Sequence, residues 1–165
     1  MKKYQVTAEM YSAFPNEFDD LLEIFSYYSE YIFDKKQNDL NRSQKAFSYY
    51  YLVDGMINNS GVFSILLESL GEYNDGYLEA LRLSKNNDDE ANFQKLVVIF
   101  QKYQDYFMEQ ELPPVLDDED KSFDKSLDTE LDLIEQKWYD NTDIRDNNFK
   151  AFLIQNKDDL LEINK

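Results

Sequence analysis

Apolar residues recur at spacings of three and four along almost the whole of this 165-residue chain, and little interrupts them. Such spacing turns one side of each segment toward a core, the mark of an amphipathic helix. Only four glycines and three prolines are present, so the breakers that a turn-rich β fold needs are scarce. A chain of this length suits one domain and can bury a sizeable core without staples. The expectation is an all-α, single-domain helical bundle over 1–165, with about six to eight helices.

A short turn over 7–14 is stopped by Pro15. The first strong helix covers 16–36, with Phe18, Leu21, Leu22, Phe25, Tyr28 and Ile32 facing inward. The next, 41–58, buries Ala46, Phe47, Tyr50, Tyr51, Val53 and Ile57. It ends at Asn58-Asn59-Ser60-Gly61, where Gly61 or Asn59 can adopt the left-handed conformation that closes a helix. The apolar run 62–70 competes between strand and central helix; neighbouring helices and a glycine at each end favour helix. A helix over 72–84 is followed by a turn in which Asp88 or Asp89 suits the N-cap position. A long stripe over 92–109 ends at Pro113-Pro114. A hinge near 111–121 then leads to acidic C-terminal helices over 123–139 and 145–156, and the Leu160-Leu161 tail can dock or fray.

Charge is the outlying property. Thirty-four acids oppose 17 bases, for a net charge of −17. Direct binding to nucleic acid or an anionic membrane is disfavoured, and the natural counterpart is a basic surface. Cysteine and histidine are both absent, which removes thiol chemistry, the commonest general base and the commonest transition-metal ligand. No Gly-rich phosphate loop or nucleophile elbow is present. The N-terminus lacks an apolar leader and no stretch reaches the roughly 18 apolar residues of a membrane span. The expectation is a cytoplasmic protein with no catalytic residues, metal or cofactor.

The acids concentrate in one place. Between 111 and 135 lie Glu111, Asp117, Asp118, Glu119, Asp120, Asp124, Asp128, Glu130, Asp132 and Glu135, opposed only by Lys121 and Lys125. Asp124, Asp128, Asp132 and Glu135 repeat at helical spacing and fall on one face, where like charges repel. Asp117, Asp118, Glu119, Asp120, Asp124, Asp128, Asp132 and Glu135 are therefore the candidate partner-binding residues. The competing reading is a solvated face. Calcium binding at 117–120 lacks the alternating ligands and central glycine of a loop site. Carboxylates four residues apart rise by about 6 Å along a helix, against one duplex charge per about 1.7 Å. Imitating DNA thus requires acids from other helices beside this stripe. Among the tyrosines, Tyr27 and Tyr49 are expected outside and suit an interface.

The segment 54–69 (Asp54-Gly55-Met56-Ile57-Asn58-Asn59-Ser60-Gly61-Val62-Phe63-Ser64-Ile65-Leu66-Leu67-Glu68-Ser69) resembles the signature of a bacterial family that includes a DNA-mimic protein, the DMP-nineteen-like domain. There a helix ends in Asn-Gly-Gly-Phe, followed by x-Gln-Phe and then Asn-Ser. Asn59, Gly61 and Ser69 match; Ser60, Val62, Ser64 and Glu68 depart from the pattern. Leu127-Asp128, Leu131-Asp132 and Trp138-Tyr139 resemble the family's Leu-Asp-rich helix, and the likeness spans 15–157. It implies an all-α fold, a negative surface and, for the mimic branch, capture of a DNA-binding protein.

The functional expectation is an acidic protein-binding module that fills the nucleic-acid-binding face of a basic DNA-binding protein. The alternatives are an immunity-type inhibitor of a basic nuclease toxin, or a helical protein whose charge serves solubility alone. Thirteen tyrosines offer surface for a homodimer, which the charge opposes unless the acids face away.

Overall fold

A computed structural model describes residues 3–68, 71–102 and 125–164, with all their side chains except those of 18, 63, 64, 66–68 and 125–128. The order is β1 (Tyr4–Val6), α1 (Ala8–Ala13), α2 (Phe18–Phe33), a 3-10 turn (Gln37–Asp39), α3 (Arg42–Glu68), α4 (Asn74–Leu83) and α5 (Asn87–Lys102). After the gap come α6 (Lys125–Asp140), α7 (Thr142–Gln155), α8 (Lys157–Leu160) and β2 (Leu161–Ile163). The fold is all-α, with two three-residue strands among the described residues. The expected hinge at 111–121 lies outside the described residues.

Local chemistry sets the helix ends. The Thr7 hydroxyl accepts the Met10 N–H at 3.1 Å and starts α1. Asn41 and Gln44 exchange side-chain and backbone hydrogen bonds at 2.8 and 2.9 Å, a reciprocal cap that starts α3. α2 and α4 each end on a lysine in the left-handed region, Lys35 and Lys85. The next N–H then reaches back over the turn, Lys36 to Tyr31 at 2.7 Å and Asn86 to Leu81 at 2.8 Å. Both turns satisfy carbonyls that the helix end would otherwise orphan. α5 starts at Asn87, so Asp88 and Asp89 sit inside its first turn and neither is the N-cap.

The break within α3 falls at Gly61, with φ 81 and ψ 168. That combination is essentially restricted to glycine, and it redirects the chain instead of closing it in the left-handed cap expected there. A second helical run begins at once, with Val62 and Ile65 buried. The competing strand reading for this run therefore fails through Glu68.

Five helices meet at an aromatic core. Tyr50 of α3 stacks on Phe149 of α7 at 3.5 Å, and Tyr77 of α4 meets Phe93 of α5 at 4.8 Å and Trp138 of α6 at 5.7 Å. Each such ring stabilises the fold by about 1.5–3 kcal/mol through burial. α2 buries Leu21, Ile24, Tyr28 and Ile32, while Leu22, expected inward, is 42% exposed. Leu22 sits about 100° round the helix from Leu21, and Ile24 takes the inward place. Tyr27 and Tyr49, expected outside, are half-buried. Tyr27 packs edge-on to Tyr4 and Tyr31. The Tyr49 ring occupies the space beside Gly76, 2.4 Å from where any Cβ would stand.

The C-terminal tail docks. β1 and β2 pair in parallel, Tyr4 opposite Leu161 and Val6 opposite Ile163. Beneath them the Tyr28 hydroxyl accepts the Tyr4 N–H at 3.0 Å and Gln44 Nε2 at 3.2 Å, and donates to the Leu160 carbonyl.

Candidate protein-binding surface

α6 carries the described part of the acidic stripe. Leu131, Ile134 and Trp138 turn inward and fix which side faces solvent. Glu130 and Asp132 are exposed on that outer side. Glu135 behaves differently. It is half-buried, and its Oε2 accepts the Val62 N–H at 3.2 Å. The same oxygen lies 3.0 Å from the position of a Cβ on Gly61. Glu135 thus caps the second run of α3 from another helix, where an orphan N–H and the positive helix end both favour a carboxylate. Asp132 and Glu135, expected on one free face, do different work. The Asp128 side chain, and Asp117, Asp118, Glu119, Asp120 and Asp124 altogether, lie outside the described residues.

Exposed carboxylates continue on other elements: Asp143 and Asp146 on α7, Asp158 and Asp159 on α8, Asp19, Glu23 and Glu30 on α2. The three arginines, by contrast, are engaged within the molecule. Arg42 Nε donates to Glu79 at 2.8 Å, and Arg82 bridges Glu79 at 2.9 Å and Glu90 at 2.7 Å. Such surface pairs add only about 0–1 kcal/mol each. Their effect here is to hold positive charge against carboxylates of the chain itself.

The third arginine is interior. Arg145 has no exposed surface. Its Nε donates to Asp54 at 3.2 Å, Nη1 to the Trp138 carbonyl at 2.8 Å and Nη2 to the Thr142 hydroxyl at 3.3 Å. Nη1 stands 3.6 Å from an Asp89 oxygen, and the guanidinium lies 3.6 Å over the Trp138 ring. One cation therefore ties α3, α5, α6 and α7 together. Burial pushes the Asp54 carboxyl up to about 6, against the lowering effect of Arg145, and Asp146 adds to the rise. Burial raises Asp89 as well, again opposed by Arg145. Desolvation offsets much of what a buried pair gains, so the network fixes geometry more than it adds stability.

Between α2, α3 and α7 opens a cleft of about 610 Å³. Leu21, Leu22, Phe25, Phe149 and Leu153 give it apolar walls; Asp54, Asp146, Asn58, Asn59 and Lys150 give it polar edges. The Tyr50 hydroxyl donates to Asp146 at 3.0 Å, and burial, with Asp54 and Asp146 nearby, raises the tyrosine well above its ordinary range. Among the described residues, no three carboxylates gather closely enough to hold a metal ion. Nor is any described helix long and apolar enough to cross a membrane.

The sequence reading missed Arg145, Asp54 and Asp89 as a unit. Each lies on the apolar stripe of its own helix, and a charge in that position was the available signal. A family model described as DMP19-like protein matches residues 38–156, from the 3-10 turn through α7, including the Gly61 break and the Arg145 network. No curated protein and no solved structure matches the chain. With nearly three quarters of its length covered by that match, the chain belongs to the DMP19-like protein family.

Proposed function

We propose that this chain is an acidic protein-binding module, a DNA mimic that occupies the nucleic-acid-binding face of a basic DNA-binding protein. The observation that supports it best is the division of charge. Arginines are paired within the molecule, while carboxylates on α2, α6, α7 and α8 stand exposed. That the exposed acids come from several helices supports the reading, since one sparse stripe would not suffice.

The mechanism is competition. A net charge of −17 draws in a basic partner over long range and orients it. Carboxylates then pair with the lysines and arginines that would otherwise hold phosphate, and the partner leaves its DNA. Loss of a bound regulator from its site alters transcription.

The test is capture of partners on the immobilised chain at low and moderate salt, followed by challenge with duplex DNA. The expected result is a basic DNA-binding protein that is retained at low salt and released by either salt or duplex. Recovery of no partner at low salt would leave the charge with solubility alone as its role.

A further inference from the structure

We propose that the cleft between α2, α3 and α7 seats a lysine-bearing segment of the basic partner, with the lysine stem along the apolar wall and its ammonium at Asp54 and Asp146. This rests on the reading of the chain as a binder of basic proteins and names where the binding is anchored.

Two features of the cleft point to that occupant. Its lining combines apolar and anionic groups: Leu22, Phe25 and Leu153 together with Asp54 and Asp146. A lysine matches both, because it lays four methylenes on apolar surface while its head seeks charge or water. The volume, about 610 Å³, exceeds one side chain and leaves room for the residues flanking the lysine. Leu22 is 42% exposed here, a large apolar side chain left beside carboxylates.

The second feature is a local shortage of positive charge. Arg145 is shared by Asp54 and Asp89, and Asp146 stands close enough to Asp54 to oppose its ionisation. A further cation at the Asp54–Asp146 edge relieves that repulsion. Lys150 also lines the cleft and must be counted against an incoming cation. Being exposed, it can swing toward solvent when the partner's ammonium arrives.

The test uses small mimics on the full chain, with methyl resonances of the leucines followed by NMR. n-Butylammonium carries charge and stem, methylammonium charge alone, and 1-butanol the stem alone. Butylammonium should shift the Leu22 and Leu153 methyls and saturate at a concentration about tenfold below methylammonium, the order that two buried methylenes supply, and also below butanol, which lacks the charge. Asp146→Asn and Leu22→Ser, both at exposed positions, should each weaken it several-fold with the fold intact, and Lys150→Gln should strengthen it. Equal binding of the two ammonium ions overturns the proposal, since it means diffuse charge attraction. Butanol binding as well as butylammonium overturns it in favour of an apolar occupant. Capture of partners by wild type and by the Asp146→Asn, Leu22→Ser double variant separates the two levels. If both chains retain the same basic protein, the cleft is refuted and the module reading stands; if wild type retains none, the module reading itself fails.

Discussion

Arg145 and the outer face of α6 hold charge under opposite conditions. Around Arg145 the charges are withdrawn from solvent and fixed by hydrogen bonds within the molecule. On the outer face of α6, Glu130 and Asp132 stand in solvent on a chain that carries twice as many acids as bases. Arg145 itself has no freedom to serve a partner, since its contacts to Asp54, Asp89 and Trp138 hold α7 against α3, α5 and α6. The exterior group contributes nearly nothing to the fold and is available for recognition. Arg145 is thus a structural part, while on the proposed function the outer carboxylates are held for a partner. Glu135 shows how narrow the boundary is: one helical turn from Asp132, it belongs to the interior because Gly61 leaves an N–H that needs it.

The strongest way to break this contrast is to remove the central cation. Arg145→Leu leaves Asp54 and Asp89 buried without their counter-charge, and uncompensated buried charges cost about 3–5 kcal/mol. Urea denaturation at pH 7 should show a loss of that order. A loss below about 1 kcal/mol, the scale of a surface pair, would place Arg145 with the exterior group.

Acidification probes the same network. Asp54 titrates near 6 in the folded chain against 3.8 unfolded, so the folded state holds this proton more tightly. Stability should therefore fall as pH rises from about 4 to about 6, by about 3 kcal/mol at most, and level off above that window. Asp89 is raised too and adds to the same trend. Asp54→Asn should flatten the curve. A wild-type curve that rises with pH through this window would show that paired carboxylates with lowered values dominate instead.

Gly61 and Glu135 mark the boundary and should give intermediate effects. Gly61→Ala forces a side chain into a glycine conformation and against the Glu135 carboxylate 3.0 Å away, a cost of about 1–3 kcal/mol. Glu135→Gln keeps the size and removes the charge, and should cost about 0.5–1 kcal/mol through the weakened cap. Thermal melts of the two single variants and the double variant would sharpen the contrast. Full additivity would mean that the carboxylate and the turn do not act together.

How much of this the sequence disclosed depends on whether a signal was local. Helices with a clean stripe, such as Phe93, Leu96, Val97 and Phe100, were legible because period alone decides them. The reciprocal cap at Asn41, three residues before Gln44, had a local signal as well, though the expected helix over 41–58 took Asn41 as its first residue. The Arg145 network was half legible. Asp54 lies four residues after Tyr50, Asp89 four before Phe93 and Arg145 four before Phe149, each on a stripe that should hold no charge. What no window reveals is that the three meet, for they come from helices far apart in the chain. β1 and β2 were not legible at all, since three residues show no period and the pairing joins the two ends of the chain. Glu135 misled by the same logic. Its spacing from Asp132 put it on the acidic face, but it is also four residues after Leu131 and three before Trp138, and that inner neighbourhood prevails.

The smallest expected effect on stability carries the most weight for function. Glu130→Gln with Asp132→Asn alters two exposed carboxylates on the outer face of α6. The change should move the melting midpoint by no more than a few tenths of a kcal/mol, upward if anything, because repulsion between neighbouring acids is relieved. On the proposed function the same variant should bind its basic partner more weakly, with a shallower dependence on salt, since fewer charges are screened. Glu135→Gln should do the reverse, costing stability while leaving partner binding close to wild type. The two variants therefore form a crossed pair, read by melting on one axis and by salt-dependent partner capture on the other. If Glu135→Gln weakens capture as much as the outer pair does, the cap and the binding surface are one, and the division between interior and exterior charge fails at this helix.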